Sequence, residues 1–131
     1  MNNQSCFFCE KGYRSSKIIE SENFYSRYDD FPVSPGHVEV VAKKHTKSFF
    51  NLGADQINEL YKMICETKEI VSQKFKPNGF NLGINEGIVA GQTIPHLHIH
   101  LIPRYRGDVK NPVGGIRNIF PDKANYLKDK K

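Results

Sequence analysis

Gln92-Thr93-Ile94-Pro95-His96-Leu97-His98-Ile99-His100-Leu101-Ile102-Pro103 is the stretch on which the reading of this 131-residue chain turns. His96, His98 and His100 alternate strictly with Leu97, Ile99 and Leu101. Successive side chains of a β-strand point to opposite faces. The pattern therefore predicts a strand with three imidazoles on one face and three aliphatic side chains turned to the core. Pro95 and Pro103 bracket the run and limit its length. Three of the five histidines of the chain lie within these five positions, which sets them apart from a lone structural histidine.

One metal ion cannot take all three. At about 3.3 Å rise per residue the α-carbons of His96 and His100 stand about 13 Å apart, whereas zinc holds nitrogen at about 2.0–2.1 Å. The three imidazoles must divide their work, and covalent phosphorus chemistry suits such a division. An imidazole nitrogen can attack phosphorus and later leave, provided its other nitrogen is held in one tautomer. His98, in the middle, is placed for that role, and His100 beside it can donate to a phosphate or leaving-group oxygen. Gly91, Gln92 and Thr93, just upstream, offer backbone, amide and hydroxyl donors to non-bridging oxygens.

Outward from this strand, 80–85 alternates Phe80, Leu82 and Ile84 with Asn81, Gly83 and Asn85, the period of a half-buried strand. Residues 55–75 carry Ile57, Leu60, Tyr61, Ile64, Thr67, Val71 and Phe75 at three- and four-residue steps, which predicts one long helix capped by Asp55 and stopped at Lys76-Pro77. Cys65 lies within that pattern and is expected in the core. Short β-prone runs at 17–20 and 23–28 read as a hairpin, and 38–41 reads as a further strand after the Pro35-Gly36 break. The expected fold is α+β: an antiparallel sheet carrying the histidine strand, packed by one helix, in a single domain over 1–131 with 104–131 as a C-terminal extension.

Composition narrows the partners. Hydrophobic residues make up 38% and charged residues 25%, which excludes wholesale disorder. No apolar run approaches the roughly 20 residues that cross a bilayer, and Met1-Asn2-Asn3-Gln4 lacks the basic and apolar regions of a leader. A cytoplasmic protein without a membrane partner is expected. The net charge of +5 favours anions, but no arginine stripe interleaved with aromatics marks a nucleic-acid groove, and part of the excess sits in a solvated tail at 128–131. A small anion such as a nucleotide fits the charge. Three cysteines, with Cys6 and Cys9 at metal-ligand spacing, point to thiols rather than a disulfide framework.

The run His96-Leu97-His98-Ile99-His100-Leu101-Ile102 resembles the signature of the histidine triad family, in which three histidines alternate with apolar residues. Asn85-Glu86-Gly87, Gly91-Gln92-Thr93 and Pro35-Gly36-His37 followed by Val38-Glu39-Val40-Val41 extend the resemblance over roughly 6–103. The resemblance implies hydrolysis of nucleoside 5′-phosphate derivatives, dinucleoside polyphosphates or phosphoramidates with purines preferred, through a nucleotidyl-histidine on His98. It implies contacts to phosphate and leaving group from His100 and Asn85, a phosphate loop of Gly91, Gln92 and Thr93, a ribose-binding carboxylate at Asp29, and a supporting histidine at His37. Family members that transfer the nucleotide to a sugar phosphate carry glutamine where this chain has His100, so hydrolysis is favoured over transfer or phosphorolysis. A non-catalytic, zinc-stabilised nucleotide-binding module is the alternative of another class.

Some branches of the family hold zinc with a Cys-x-x-Cys pair, the histidine after the basic run and the first triad histidine. By position these are Cys6, Cys9, His45 and His96, a structural site, set against two buried reduced cysteines. No cofactor is implied for the chemistry itself, and a homodimer is implied by resemblance alone. Arg117, after Gly114-Gly115, is either a solvated loop arginine or a contact for the outer phosphates of a polyphosphate.

Overall fold

A computed structural model describes residues 6–12 and 16–129; the stretch 1–4, read above as lacking leader features, and the end of the tail at 130–131 lie outside the described residues. Five strands, β1 (Lys17–Glu20), β2 (Phe24–Tyr28), β3 (Val38–Ala42), β4 (Gly79–Gly83) and β5 (His98–Arg104), form one antiparallel sheet in the order β1-β2-β3-β5-β4. One helix, α1 (Ala54–Phe75), packs on one face of it. The α+β architecture expected from the sequence is the one observed.

Side-chain alternation sorts the sheet into two faces. Phe24, Val40, Ala42, Leu97 and Ile99 cluster with Leu60 and Met63 of α1. Val38 and Leu101 pack on Val71 of the same helix. Burying a side chain of this size contributes roughly 1.5–3 kcal/mol, so this double layer is where the fold is held. Ser26 lies in the same face opposite Thr67. Thr67 Oγ1 is 2.8 Å from the Met63 carbonyl and 3.0 Å from Ser26 Oγ, so Thr67 donates to the carbonyl and can accept from Ser26. No buried side-chain nitrogen or oxygen among the described residues lacks a partner.

The helix stripe is rotated from the expected one. Leu60, Met63, Thr67 and Val71 form its buried line, while Tyr61 is 66% exposed and Cys65 is exposed. Hydrophobicity alone cannot tell Tyr61 from Met63, and the sheet selects the residue facing it. Capping also differs, because Gly53 rather than Asp55 is the N-cap and its N–H donates to Gln56 Oε1 at 3.1 Å. Lys76 closes the helix in the left-handed conformation ahead of Pro77, where the sequence placed the stop.

The expected bounds of two strands shift. β4 ends at Gly83, short of Ile84 and Asn85. β5 starts at His98, so His96 and Leu97 precede the ladder, and it runs through Pro103 instead of stopping there. Pro103 fits because its carbonyl, and with it the nitrogen that lacks a hydrogen, faces the side on which β3 has already ended. There Ser34 Oγ donates to the Pro103 carbonyl at 2.6 Å.

The loop that brings His37 to the sheet turns at Gly36, whose φ is +84° and whose Cβ, if present, would stand 2.8 Å from the Phe75 ring. Gly36→Ala combines an unfavourable φ with a clash against the end of α1. It is expected to lower the unfolding free energy by about 1–3 kcal/mol in urea titrations.

Candidate active site

The sheet face opposite α1 carries the polar machinery. His98 and His100 project from β5 on this face, with Glu39 and Val41 beside them on β3 and Tyr25 and Arg27 on β2. The segment Cys6–Cys9 lies across it, and Phe8 packs with Tyr25, Val41 and Ile94. The Phe8 ring stands 5.0 Å from that of His98 and 5.5 Å from that of His96. Phe7 covers the Arg27 guanidinium at 5.2 Å.

The tautomers of the four histidines near this face follow from their partners. The His96 carbonyl lies 2.9 Å from His98 Nδ1 and can only accept, so His98 carries its hydrogen on Nδ1 and leaves Nε2 as a lone pair. The Ala42 carbonyl, 2.6 Å from His96 Nε2, fixes the opposite tautomer there and leaves His96 Nδ1 as the lone pair. Val33 N–H donates to His37 Nδ1 at 3.1 Å, so the hydrogen of neutral His37 is on Nε2. That hydrogen faces His100 Nδ1 at 2.9 Å, which leaves His100 with an Nε2–H donor. The result is a lone pair on His98 next to a donor on His100.

Burial keeps the set neutral. It pushes the imidazolium forms of His37, His96 and His98 below their ordinary range, against the opposing pull of Asp29 on His37 and His98. His100 falls to about 4 through burial, reinforced by His98 and His37. Asp29 Oδ2 lies 3.5 Å from His37 Nε2 and 3.8 Å from His100 Nδ1, while its Oδ1 accepts from Phe31 N–H at 2.8 Å. The geometry thus brings Asp29 against the two histidines behind the site.

The loop between β4 and β5 contributes Asn85, Gly91, Gln92 and Thr93. Gly91 is left-handed with φ +95°, and a Cβ there would come 3.9 Å from the Asn85 amide, which seats these two residues side by side. The Gln92 side chain accepts from Gly87 N–H at 2.9 Å and donates to the Lys47 carbonyl at 3.1 Å, so it braces the loop from within. Asn85 and Thr93 are exposed.

Cys6, Cys9, His45 and His96 converge at the end of this face, with all four ligand atoms within 4.8 Å of one another. His96 Nδ1, the lone pair just assigned, lies 3.4 Å from Cys6 Sγ, 3.5 Å from Cys9 Sγ and 3.2 Å from His45 Nδ1. Cys9 Sγ lies 3.2 Å from His45 Nδ1. A zinc tetrahedron has edges of about 3.3 Å between nitrogens and about 3.6 Å between nitrogen and sulfur. The four separations above lie within about 0.4 Å of these edges, so the cluster could hold a metal ion. Burial and Cys6 push the Cys9 thiol up to about 11.

Arg117 does not reach the triad. Its Nη2 donates to the Lys123 carbonyl at 2.8 Å, its Nε to the Ala124 carbonyl at 3.3 Å, and its guanidinium covers the Tyr126 ring, so it holds the C-terminal turns Gly115–Ile119, Pro121–Lys123 and Tyr126–Asp129 together. Sequence reasoning missed Phe7, Phe8 and the buried pair of Arg27 and Glu39. The signal was available for the pair: opposite charges on two apolar strands at positions that an antiparallel register sets face to face.

A profile of the HIT domain matches residues 10–107. An uncharacterized HIT-like protein of Methanocaldococcus jannaschii is 37% identical over 125 residues, covering 91% of this chain and 95% of its own. A bis(5′-adenosyl)-triphosphatase of Dictyostelium discoideum is 33% identical over 100 residues, 72% of this chain and 67% of its own. An adenosine 5′-monophosphoramidase of Candida albicans is 30% identical over 107 residues, 76% of this chain and 70% of its own. Among solved structures, a HIT family protein from Bacillus anthracis has a TM-score of 0.74 at 28% identity, covering 98% of this chain and 99% of its own. A Zn-bound histidine triad family protein from Mycobacterium smegmatis has a TM-score of 0.73 at 28% identity, covering 84% of this chain and 82% of its own.

Between pH 6.5, the ordinary value for histidine, and the value near 4 at His100, the unfolded chain binds a proton that the folded site refuses. Stability contributed by this group therefore falls as pH drops through that window, by at most about 1.4 kcal/mol per pH unit. His100→Asn is expected to flatten the acid-side fall of Tm relative to the parent protein, as followed by thermal melts across the window.

Proposed function

The chain belongs to the HIT family, and from that premise we propose that it hydrolyses nucleoside 5′-phosphate derivatives, dinucleoside polyphosphates or phosphoramidates, through a covalent nucleotidyl-histidine on His98. The observation that carries the reading is the hydrogen bond from His98 Nδ1 to the His96 carbonyl, which frees Nε2 for attack. In the first step a bond forms between Nε2 and the α-phosphorus, the bond to the leaving oxygen or nitrogen breaks, and the leaving group departs with the electron pair. The His100 Nε2–H is the donor for a phosphate or leaving-group oxygen, and a positioned donor of this kind contributes about 10²–10³ in rate. Asn85 with the backbone of Gly91, Gln92 and Thr93 receives the non-bridging oxygens. Water then displaces His98 and releases the nucleoside 5′-monophosphate. His37 steadies the His100 tautomer, and Asp29 serves the ribose from its place beside them.

The same reading assigns a structural zinc to Cys6, Cys9, His45 and His96, which would supply a fixed cross-link between the N-terminal segment and the triad. The reduced thiols this requires fit the cytoplasm. Residues 104–131 are assigned as a C-terminal extension, whose turn Gly115–Ile119 contacts β4. A second copy pairs along β4, the last strand of the sheet order, where Leu82 is 46% exposed and Tyr61 of α1 stands beside a groove of about 360 Å³ shared with Ile57 and Ile64. An edge strand meeting its own copy antiparallel is self-complementary, as a two-fold dimer needs.

Incubation with a panel of dinucleoside polyphosphates and nucleoside phosphoramidates is expected to release nucleoside 5′-monophosphate. His98→Ala, folded by circular dichroism, should lose at least about three orders of magnitude in kcat. Retention of most activity by that variant, or product appearing as nucleoside diphosphate when phosphate is supplied, would overturn the hydrolytic assignment. Metal analysis of the purified protein should return one zinc per chain, lost together with several degrees of Tm in Cys6→Ser. Light scattering should report a dimer that Leu82→Lys converts to monomer.

A further inference from the structure

The positions beside His100 on the two neighbouring strands of the site face are charged. Glu39 is the register partner of His100 across β3 and β5, and Arg27 is the register partner of Glu39 across β2 and β3. Arg27 Nη1 donates to Glu39 Oε1 at 2.7 Å, and the two residues are only 1% and 5% exposed. Desolvating such a pair is costly, and apolar residues of similar volume commonly replace one without loss of stability, so packing alone does not account for it.

Glu39 touches more than Arg27. Its carboxyl and the ring nitrogens of His98 and His100 all lie within 4.8 Å of one another. Asp29, which faces both His37 and His100, stands in hydrogen-bond reach of the same carboxyl. The far end of Arg27 is held by Asp30 Oδ1 at 2.9 Å and covered by Phe7. A continuous chain of contacts thus runs from Asp30 through Arg27, Glu39 and Asp29 to the pair of His37 and His100.

We propose that Glu39 is a positioning residue of the histidine site: braced by Arg27, it anchors Asp29 and, through Asp29, the His37 and His100 imidazoles. The kinetic consequence rests on the catalytic reading of His98 and His100; the anchoring itself does not.

Two carboxyl groups in contact require a proton between them. Burial and Asp29, outweighing Arg27, push Glu39 up to about 7, so Glu39 holds that proton and donates it to Asp29. The charged and titratable groups facing Glu39 are Arg27 and Tyr25 from β2, Asp29 from the loop after it, and His98 and His100 from β5. Loss of the proton leaves two carboxylates face to face and drives Asp29 from its place. The anchor therefore weakens as pH rises past neutrality.

Glu39→Gln separates this from a structural role. The amide oxygen accepts from Arg27 and the amide N–H donates to Asp29, so the variant copies the protonated acid at every pH. In the parent protein, hydrolysis of a dinucleoside polyphosphate should fall about tenfold between pH 7 and 8.5, as ionisation of a group near 7 dictates, and the fall should be absent in Glu39→Gln. An alkaline limb of the same position in both proteins overturns the proposal. Ring-nitrogen NMR of His37 and His100 in the intact protein supplies a readout independent of turnover. Their shifts should move through pH 7 in the parent, stay put in Glu39→Gln, and report mixed tautomers in Glu39→Leu. A folded Glu39→Leu protein with parent-like shifts overturns the anchoring even if no nucleotide is ever cleaved.

Discussion

Two backbone carbonyls organise this molecule's chemistry. The oxygen of His96 takes the Nδ1 hydrogen of His98, and the oxygen of Ala42 takes the Nε2 hydrogen of His96. A carbonyl cannot donate, so each bond admits one tautomer, and the two rings present their lone pairs in different directions. His98 keeps its lone pair on Nε2, and His96 turns its Nδ1 to the cluster of Cys6, Cys9 and His45. Because both acceptors are main-chain oxygens, one at the end of β3 and the other two residues ahead of β5, the assignment is held by the backbone course that forms the sheet.

His96 is the joint between the two halves of the site. Its ring belongs to the cluster of Cys6, Cys9 and His45, while its carbonyl orients His98. The N-terminal segment that brings Cys6 and Cys9 also brings Phe7 and Phe8 over Arg27 and His98. Anything that displaces this segment therefore uncovers the face that carries His98. Phe8 covers one side of the imidazole, and burial lowers the pKa of His98, which favours the neutral ring with its free lone pair.

Neutral imidazoles at the centre place the electrostatic burden elsewhere. On the function proposed above, an anionic phosphate at His98 would meet the His100 N–H, the main-chain donors of the loop around Gly91 and the overall charge of +5, rather than a buried cation. Arg27, the nearest buried positive charge, is already committed to Glu39 and Asp30. Donors fixed before substrate arrives need no reorganisation as charge develops, which is how such an arrangement assists phosphoryl chemistry.

The alternation of His96, His98 and His100 with Leu97, Ile99 and Leu101 was enough to place a strand, choose its buried face and nominate a nucleophile, because a period of two residues is a property of extended backbone independent of context. The helix at 55–75 and the pairing of Cys6 with Cys9 were legible for the same local reason. Which of Met63 and Tyr61 enters the core, where β5 begins, and why Pro103 is admitted to it were decided by the partner surfaces. So were the tautomers, since a ring nitrogen's state depends on an oxygen that may lie 54 positions away in the chain, as Ala42 does from His96. The apposition of Arg27, Glu39 and His100 is likewise a product of strand order and register, which no short-range pattern in the chain encodes.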